Sequence, residues 1–217
     1  MAGTARDGAP VRPHVSRNPP HRSQTRLPGA NRVRIIGGEW GGRLLRFPDL
    51  AGLRPTPDRV RESVFNWLGQ DLSGKRCLDL FAGSGAFGFE SLSRHAREAV
   101  LVERSRAACD ALRASAALLG ATGARIVCAD ALEFAARAQA AFDVVFVDPP
   151  YASGLLERTL PLLPPLLASG ARVYLESERP VALAPGWHVW REGRAGAVRF
   201  QLITWGGHDE SDLSRHV

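Results

Sequence analysis

Lysine is almost missing from this 217-residue chain: of its 28 basic residues only Lys75 is lysine, and the other 27 are arginine. That skew fits a GC-rich coding sequence better than any local chemistry. Cysteine is scarce too. Cys77, Cys109 and Cys128 are odd in number and lack C-x-x-C spacing, which argues against a disulfide framework and a zinc site, so no metal is expected. A reducing cytosol suits such a set. No apolar run approaches the roughly 18 to 20 residues that span a bilayer, and no apolar core follows the arginine-rich start as a secretory signal requires. The expectation is a soluble, cytoplasmic protein without a membrane partner.

Acids are scarce in one place. Residues 1 to 34 hold seven arginines (Arg6, Arg12, Arg17, Arg22, Arg26, Arg32, Arg34) against Asp7, which accounts for the whole net charge of +6. The remaining 183 residues are balanced, so the start of the chain alone would seek polyanions, nucleic acid first among them. Residues 1 to 31 are Pro, Arg, His, Ser and Gly with scarcely a large apolar side chain, and read as a disordered basic tail. One domain follows over 32 to 206, with a hairpin and helix subregion at 32 to 70, and 207 to 217 read as a frayed end.

Within that domain, Val33 to Ile36 and Arg43 to Phe47 flank Gly37, Gly38, Gly41 and Gly42, which suits a glycine-rich β-hairpin. Thr56-Pro57 reads as a helix start, a hydroxyl N-cap before a first-turn proline, with the helix running to Leu68. Strands at 76–81, 98–103, 124–128 and 142–147 alternate with helices at 85–94, 105–119 and 130–139. A helix over 155–168, a strand over 171–176 and an antiparallel pair at 187–191 and 198–205 complete the series. The pattern predicts an α/β fold: a central, mostly parallel sheet of about seven strands with helices on both faces.

The first core strand runs into Asp79-Leu80-Phe81-Ala82-Gly83-Ser84-Gly85-Ala86-Phe87-Gly88, glycine-rich where a backbone must turn tightly beside a ligand. The segment satisfies G-x-G-x-x-G, and Glu103 follows Gly83 by 20 residues, where a ribose-binding acid belongs. A dinucleotide-dependent oxidoreductase would share those features. Two acids favour S-adenosylmethionine instead. The Asp79 carboxylate would repel a pyrophosphate and suit an ammonium group, and Asp130, followed by Ala131, can address an adenine amino group and ring. The plainer alternative is that these acids cap strands and a helix, as any α/β protein could require.

After the fourth strand comes Asp148-Pro149-Pro150-Tyr151. Two successive prolines remove two backbone donors and stiffen the segment, leaving the Asp148 side chain and the Pro149 carbonyl as fixed acceptors. An exocyclic amino group can offer both hydrogens to them, which favours the pyramidal nitrogen that attacks a methyl-sulfonium. Tyr151 can stack on the base, which must be single-stranded or flipped.

Arg34-Ile35-Ile36-Gly37-Gly38, Gly42-Arg43 and Arg54 through Leu68 resemble the opening signature of the 16S ribosomal RNA guanine-N2 methyltransferase family, a Rossmann-like class I group. The resemblance extends through Phe81 to Gly85, Val147 to Tyr151 and Val173 to Glu176, and departs at Pro57, where the family more usually has threonine. It implies S-adenosylmethionine as cofactor and a guanine in 16S ribosomal RNA, or the assembling small subunit, as partner. It further implies a cofactor set of Asp79, Phe81, Gly83, Gly85, Glu103, Asp130 and Ala131, and catalysis by Asp148 to Tyr151. Arg54, Thr56 and Arg59 would close the site or contact RNA, although a helix cap with solvated arginines explains them equally well. Amino-methyltransferases of DNA adenine or protein glutamine use related motifs, more often with asparagine in place of Asp148, and a non-catalytic RNA-binding protein could keep the same fold.

Overall fold

The computed structural model describes residues 1, 3, 30–49, 56–150 and 153–206. A hairpin of β1 (Ala30–Arg34) and β2 (Leu44–Pro48) precedes α1 (Asp58–Leu68). Then follow β3 (Arg76–Asp79), α2 (Ala86–Ser93), β4 (Glu98–Glu103), α3 (Arg106–Leu119), β5 (Ala124–Cys128), α4 (Ala131–Arg137) and β6 (Phe142–Val147). The last elements are α5 (Leu155–Thr159), β7 (Leu167–Ser177), β8 (Trp187–Ala195) and β9 (Val198–Trp205). The expected tail, residues 1 to 31, lies almost wholly outside the described residues, as do Arg54, Tyr151 and 207–217.

Seven strands form one sheet in the order β5-β4-β3-β6-β7-β9-β8, parallel from β5 to β7, with β9 antiparallel to both of its neighbours. The chain winds outward from β3 to β5, then returns to place β6 on the other side of β3. That reversal opens a crevice at the carboxyl ends of β3 and β6, where open α/β sheets bind ligands. The strands β4 and β6 are nearly continuous apolar runs because both faces of the sheet are covered.

One face carries Phe146, Tyr174 and Leu202 against Phe65 of α1, Phe87 and Phe89 of α2 and the hairpin's Val33, Leu45 and Phe47. Phe87 is the hub, its ring centroid 4.6 Å from Phe146 and 4.7 Å from Tyr174. The other face packs Leu78, Val145, Val147, Val173 and Leu175 against Ala135 of α4 and Leu156 of α5.

The hairpin is tied down by a buried acid. Glu90 of α2 is fully buried and accepts the amides of Ile36 at 2.7 Å and Gly37 at 2.8 Å. Arg94 neutralises it at 2.8 Å and Arg61 approaches at 3.5 Å. Deleting one partner of such a buried pair typically costs about 3–5 kcal/mol, because the other charge is stranded. Gly38 is required here: at φ 75° it lies so close to the Ser93 carbonyl that a Cβ would sit 1.9 Å from that oxygen.

Several elements differ from expectation for identifiable reasons. The strand expected at Val33 to Ile36 ends at Arg34, because the Ile36 amide is spent on Glu90 rather than on a ladder. The helix expected over 155–168 stops at Thr159. Pro161, Pro164 and Pro165 cannot donate to a continuing helix, so two 3₁₀ turns follow and β7 begins early, at Leu167. Nor is Thr56 an N-cap: Pro57 occupies that position and α1 has no side-chain cap. The Thr56 hydroxyl forgoes a contact usually worth about 1 kcal/mol and turns toward Asp148 instead.

Candidate active site

The crevice at the carboxyl ends of β3, β4 and β6 contains a cavity of about 680 Å³, within the range of small-molecule sites. Its walls include Asp79, Phe81, Gly83, Glu103, Asp130 and Ala131 together with Thr56, Asp148, Pro149, Pro150 and Glu176. Two groups of residues far apart in sequence thus share one space. Among the described residues, no group of three or more His, Cys, Asp or Glu side chains could hold a metal ion.

Asp79 ends β3 and is buried, with Oδ2 accepting the Gly88 amide at 3.0 Å. Burial pushes its carboxyl up to about 7, the Gly88 bond opposes the rise, and the Glu103 charge adds to it. Among the described residues no ion pair reaches Asp79. It therefore lacks the cationic neighbour that an ammonium ligand would supply, and the donor set fits the amino-acid end of S-adenosylmethionine.

Glu103 ends β4. Its Oε2 accepts the Gly83 amide at 3.0 Å and its Oε1 accepts the Ser105 amide at 2.7 Å. A carboxylate has about four acceptor sites, so capacity remains for ribose hydroxyls. Asp130 caps α4, with Oδ1 accepting from the Leu132 and Glu133 amides at 2.9 and 3.2 Å. Capping and cavity lining coexist in this residue. Gly85 stands apart, outside the cavity wall: its φ is 78°, and a Cβ would press on Leu112 and Phe89 at 2.6–2.7 Å. Gly88 is likewise a packing glycine, since a Cβ would meet Leu101 at 2.7 Å.

Asp148 directly follows β6. Burial pushes its carboxyl well above the ordinary range, the Glu176 charge adds to the rise, and the hydrogen bond from Thr56 opposes it. Pro149 is buried and Pro150 exposed, while Tyr151 lies outside the described residues. Arg59 is exposed on the first turn of α1 and is not part of the cavity wall. Glu176 was missed as a site residue in the sequence. It is buried at the end of β7, accepts the Tyr174 hydroxyl at 2.7 Å and faces the same cavity. Its signal was there to read: an acid closing an apolar strand, as Asp79 and Glu103 do.

Residues 33–204 match the family described as conserved hypothetical protein 95. The chain is 46% identical over 189 residues to ribosomal RNA small subunit methyltransferase D of Escherichia coli, covering 85% of this chain and 96% of that protein. A solved putative methyltransferase from Escherichia coli superposes with a TM-score of 0.73 at 44% identity, covering 82% of this chain and all of that one. A 16S rRNA N2 methyltransferase of Thermus thermophilus, solved with AdoMet and guanosine, shares the fold with a TM-score of 0.63 at 21% identity, over 82% of this chain and 50% of that one. With most of the hairpin and all of the glycine loop and the Asp148 segment inside the matched span, the chain belongs to the conserved hypothetical protein 95 family, that of the ribosomal RNA small subunit methyltransferases D.

Proposed function

We propose that this cytoplasmic enzyme methylates the exocyclic N2 amino group of a guanine in 16S ribosomal RNA, using S-adenosylmethionine. The observation that carries the reading is the shared cavity. An acceptor for an amino group, Asp148 beside two prolines, opens into the same space as Asp79, an acid with no ion pair among the described residues, and a ribose-type acid at Glu103. The Escherichia coli relative is named for the small-subunit ribosomal RNA, and the resemblance in sequence adds the guanine N2 position.

Asp79 would bind the ammonium, Glu103 the ribose hydroxyls, and Asp130 with Ala131 the adenine edge. Bound there, the cofactor supplies an electrophilic methyl group on its sulfonium. Asp148 accepts an N–H of the substrate amino group and, with the Pro149 carbonyl, holds the nitrogen pyramidal with its lone pair aimed across the cavity. As the nitrogen forms its new bond it becomes positive, and the Asp148 carboxylate opposes that charge from a site prepared before the reaction begins. The burial that raises its pKa also suits Asp148 to receive the proton the nitrogen then loses. The test is transfer of labelled methyl from S-adenosylmethionine to purified total RNA, small subunits, DNA and protein, followed by nucleoside analysis. N2-methylguanosine from the small-subunit RNA is the expected product. Label in DNA adenine or in a protein amide would overturn the assignment.

A further inference from the structure

We propose that Thr56 is a positioning residue for methyl transfer: its hydroxyl fixes the orientation of the Asp148 carboxylate, and Arg61 in turn fixes Thr56. This inference rests on the role given to Asp148 above. Thr56 Oγ1 donates to Asp148 Oδ2 at 3.0 Å, across 92 positions of sequence. A carboxylate turns on a broad, two-fold torsion, so a donor held on one oxygen decides where the other points. Thr56 is 5% exposed and lines the cavity beside Asp148, yet its hydroxyl does not cap the helix that starts next to it.

What holds Thr56 is unusual for a helix entrance. Arg61, with no exposed surface, donates through Nε to the Thr56 carbonyl at 3.3 Å. The same guanidinium donates to the Arg34 carbonyl at 2.8 Å and to Asp58 Oδ1 at 2.6 Å, and its Nη1 lies 3.5 Å from Glu90. One buried cation therefore binds the hairpin, α1 and α2 to the residue that touches Asp148. Among the described residues, the titratable groups facing Asp148 from its neighbours are Glu176 on β7 and Asp79 on β3, both acids, and the Thr56 hydroxyl donates against them.

The competing explanation is that the Thr56 bond merely fastens the start of α1 to the sheet. Thr56→Val keeps the shape and removes the donor, and it distinguishes the two in the full chain with labelled S-adenosylmethionine and small-subunit RNA. A positioning role lowers the single-turnover rate about 10-fold or more while cofactor affinity stays unchanged. It also moves the acid limb of the pH–rate profile upward, because a donor that favours ionised Asp148 has gone. Thr56→Ser restores both, and in an Asp148→Ala background Thr56→Val costs nothing further. A Thr56→Val rate within two-fold of the parent, about the scatter of such assays, overturns the proposal, as does a loss with an unmoved profile that serine does not rescue. Asp148→Ala at full rate would overturn the reading of the site itself, and this inference with it. A slow Asp148→Ala beside a normal Thr56→Val would overturn this inference alone.

Discussion

Glu103 holds Gly83: the acid at the end of β4 accepts the glycine amide at 3.0 Å, so one carboxylate both shapes the loop after β3 and lines the cavity. Removing it releases the loop and deletes the proposed ribose acceptor together. Glu103→Ala should therefore weaken S-adenosylmethionine binding by about 100-fold, the scale of two charge-assisted hydrogen bonds after partial replacement by water. Isothermal calorimetry measures this directly, and unchanged affinity would remove Glu103 from the site.

Asp79 should make cofactor binding depend on pH. Its carboxyl is pushed up to about 7, chiefly by burial, so in the free protein below that pH it carries a proton. An ammonium group beside it favours the carboxylate, and binding must then expel the proton. Affinity should fall as pH drops below about 7, approaching tenfold per unit. Calorimetry near pH 6 in buffers of different ionisation enthalpy should record proton release approaching one per site, lost in Asp79→Asn. By the same linkage the ligand-free protein loses stability as pH rises through the folded-state value, since the folded form holds this proton more tightly than the unfolded chain. Binding without proton release would contradict the ammonium role.

Strands β4 and β6 were legible because each is a nearly continuous apolar run in a sheet covered on both faces. The helices β3-to-β4 and β4-to-β5 carry likewise announce themselves, α3 by a serine cap and a closing glycine. The acids Asp79, Glu103 and Asp130 could be placed because each ends or closely follows a strand, and strand ends converge. Thr56 was misread for the opposite reason. Thr-Pro is a strong local signal for a capped helix, and nothing nearby in sequence reports a carboxylate 92 residues away. The hairpin's end is set by the same kind of distant partner, Glu90, and α5 stops at Thr159, short of the expected 168, because the prolines that follow cannot donate to a helix.

The basic start of the chain divides in two. Arg32 and Arg34 belong to β1, and Arg34 pairs with Asp58 at 3.0 Å, so part of that charge serves the fold. We propose that residues 1–29, with Arg6, Arg12, Arg17, Arg22 and Arg26, add sequence-independent attraction to ribosomal RNA. If each of these arginines neutralises one phosphate, removing residues 1–29 should reduce the slope of log affinity against log salt by about 3 to 4. Cofactor affinity should not change. Equal salt slopes with and without the segment would refute the contribution.

The central claim is that Asp148 acts on the amino group and not on the cofactor. The most direct measurement is the single-turnover rate of Asp148→Ala on small-subunit RNA, taken alongside its S-adenosylmethionine affinity. The expected result is a rate reduced about 100-fold or more, the cost of losing a prepared electrostatic contact, at near-normal affinity. A near-normal rate would contradict the account, and so would a loss explained wholly by weaker cofactor binding.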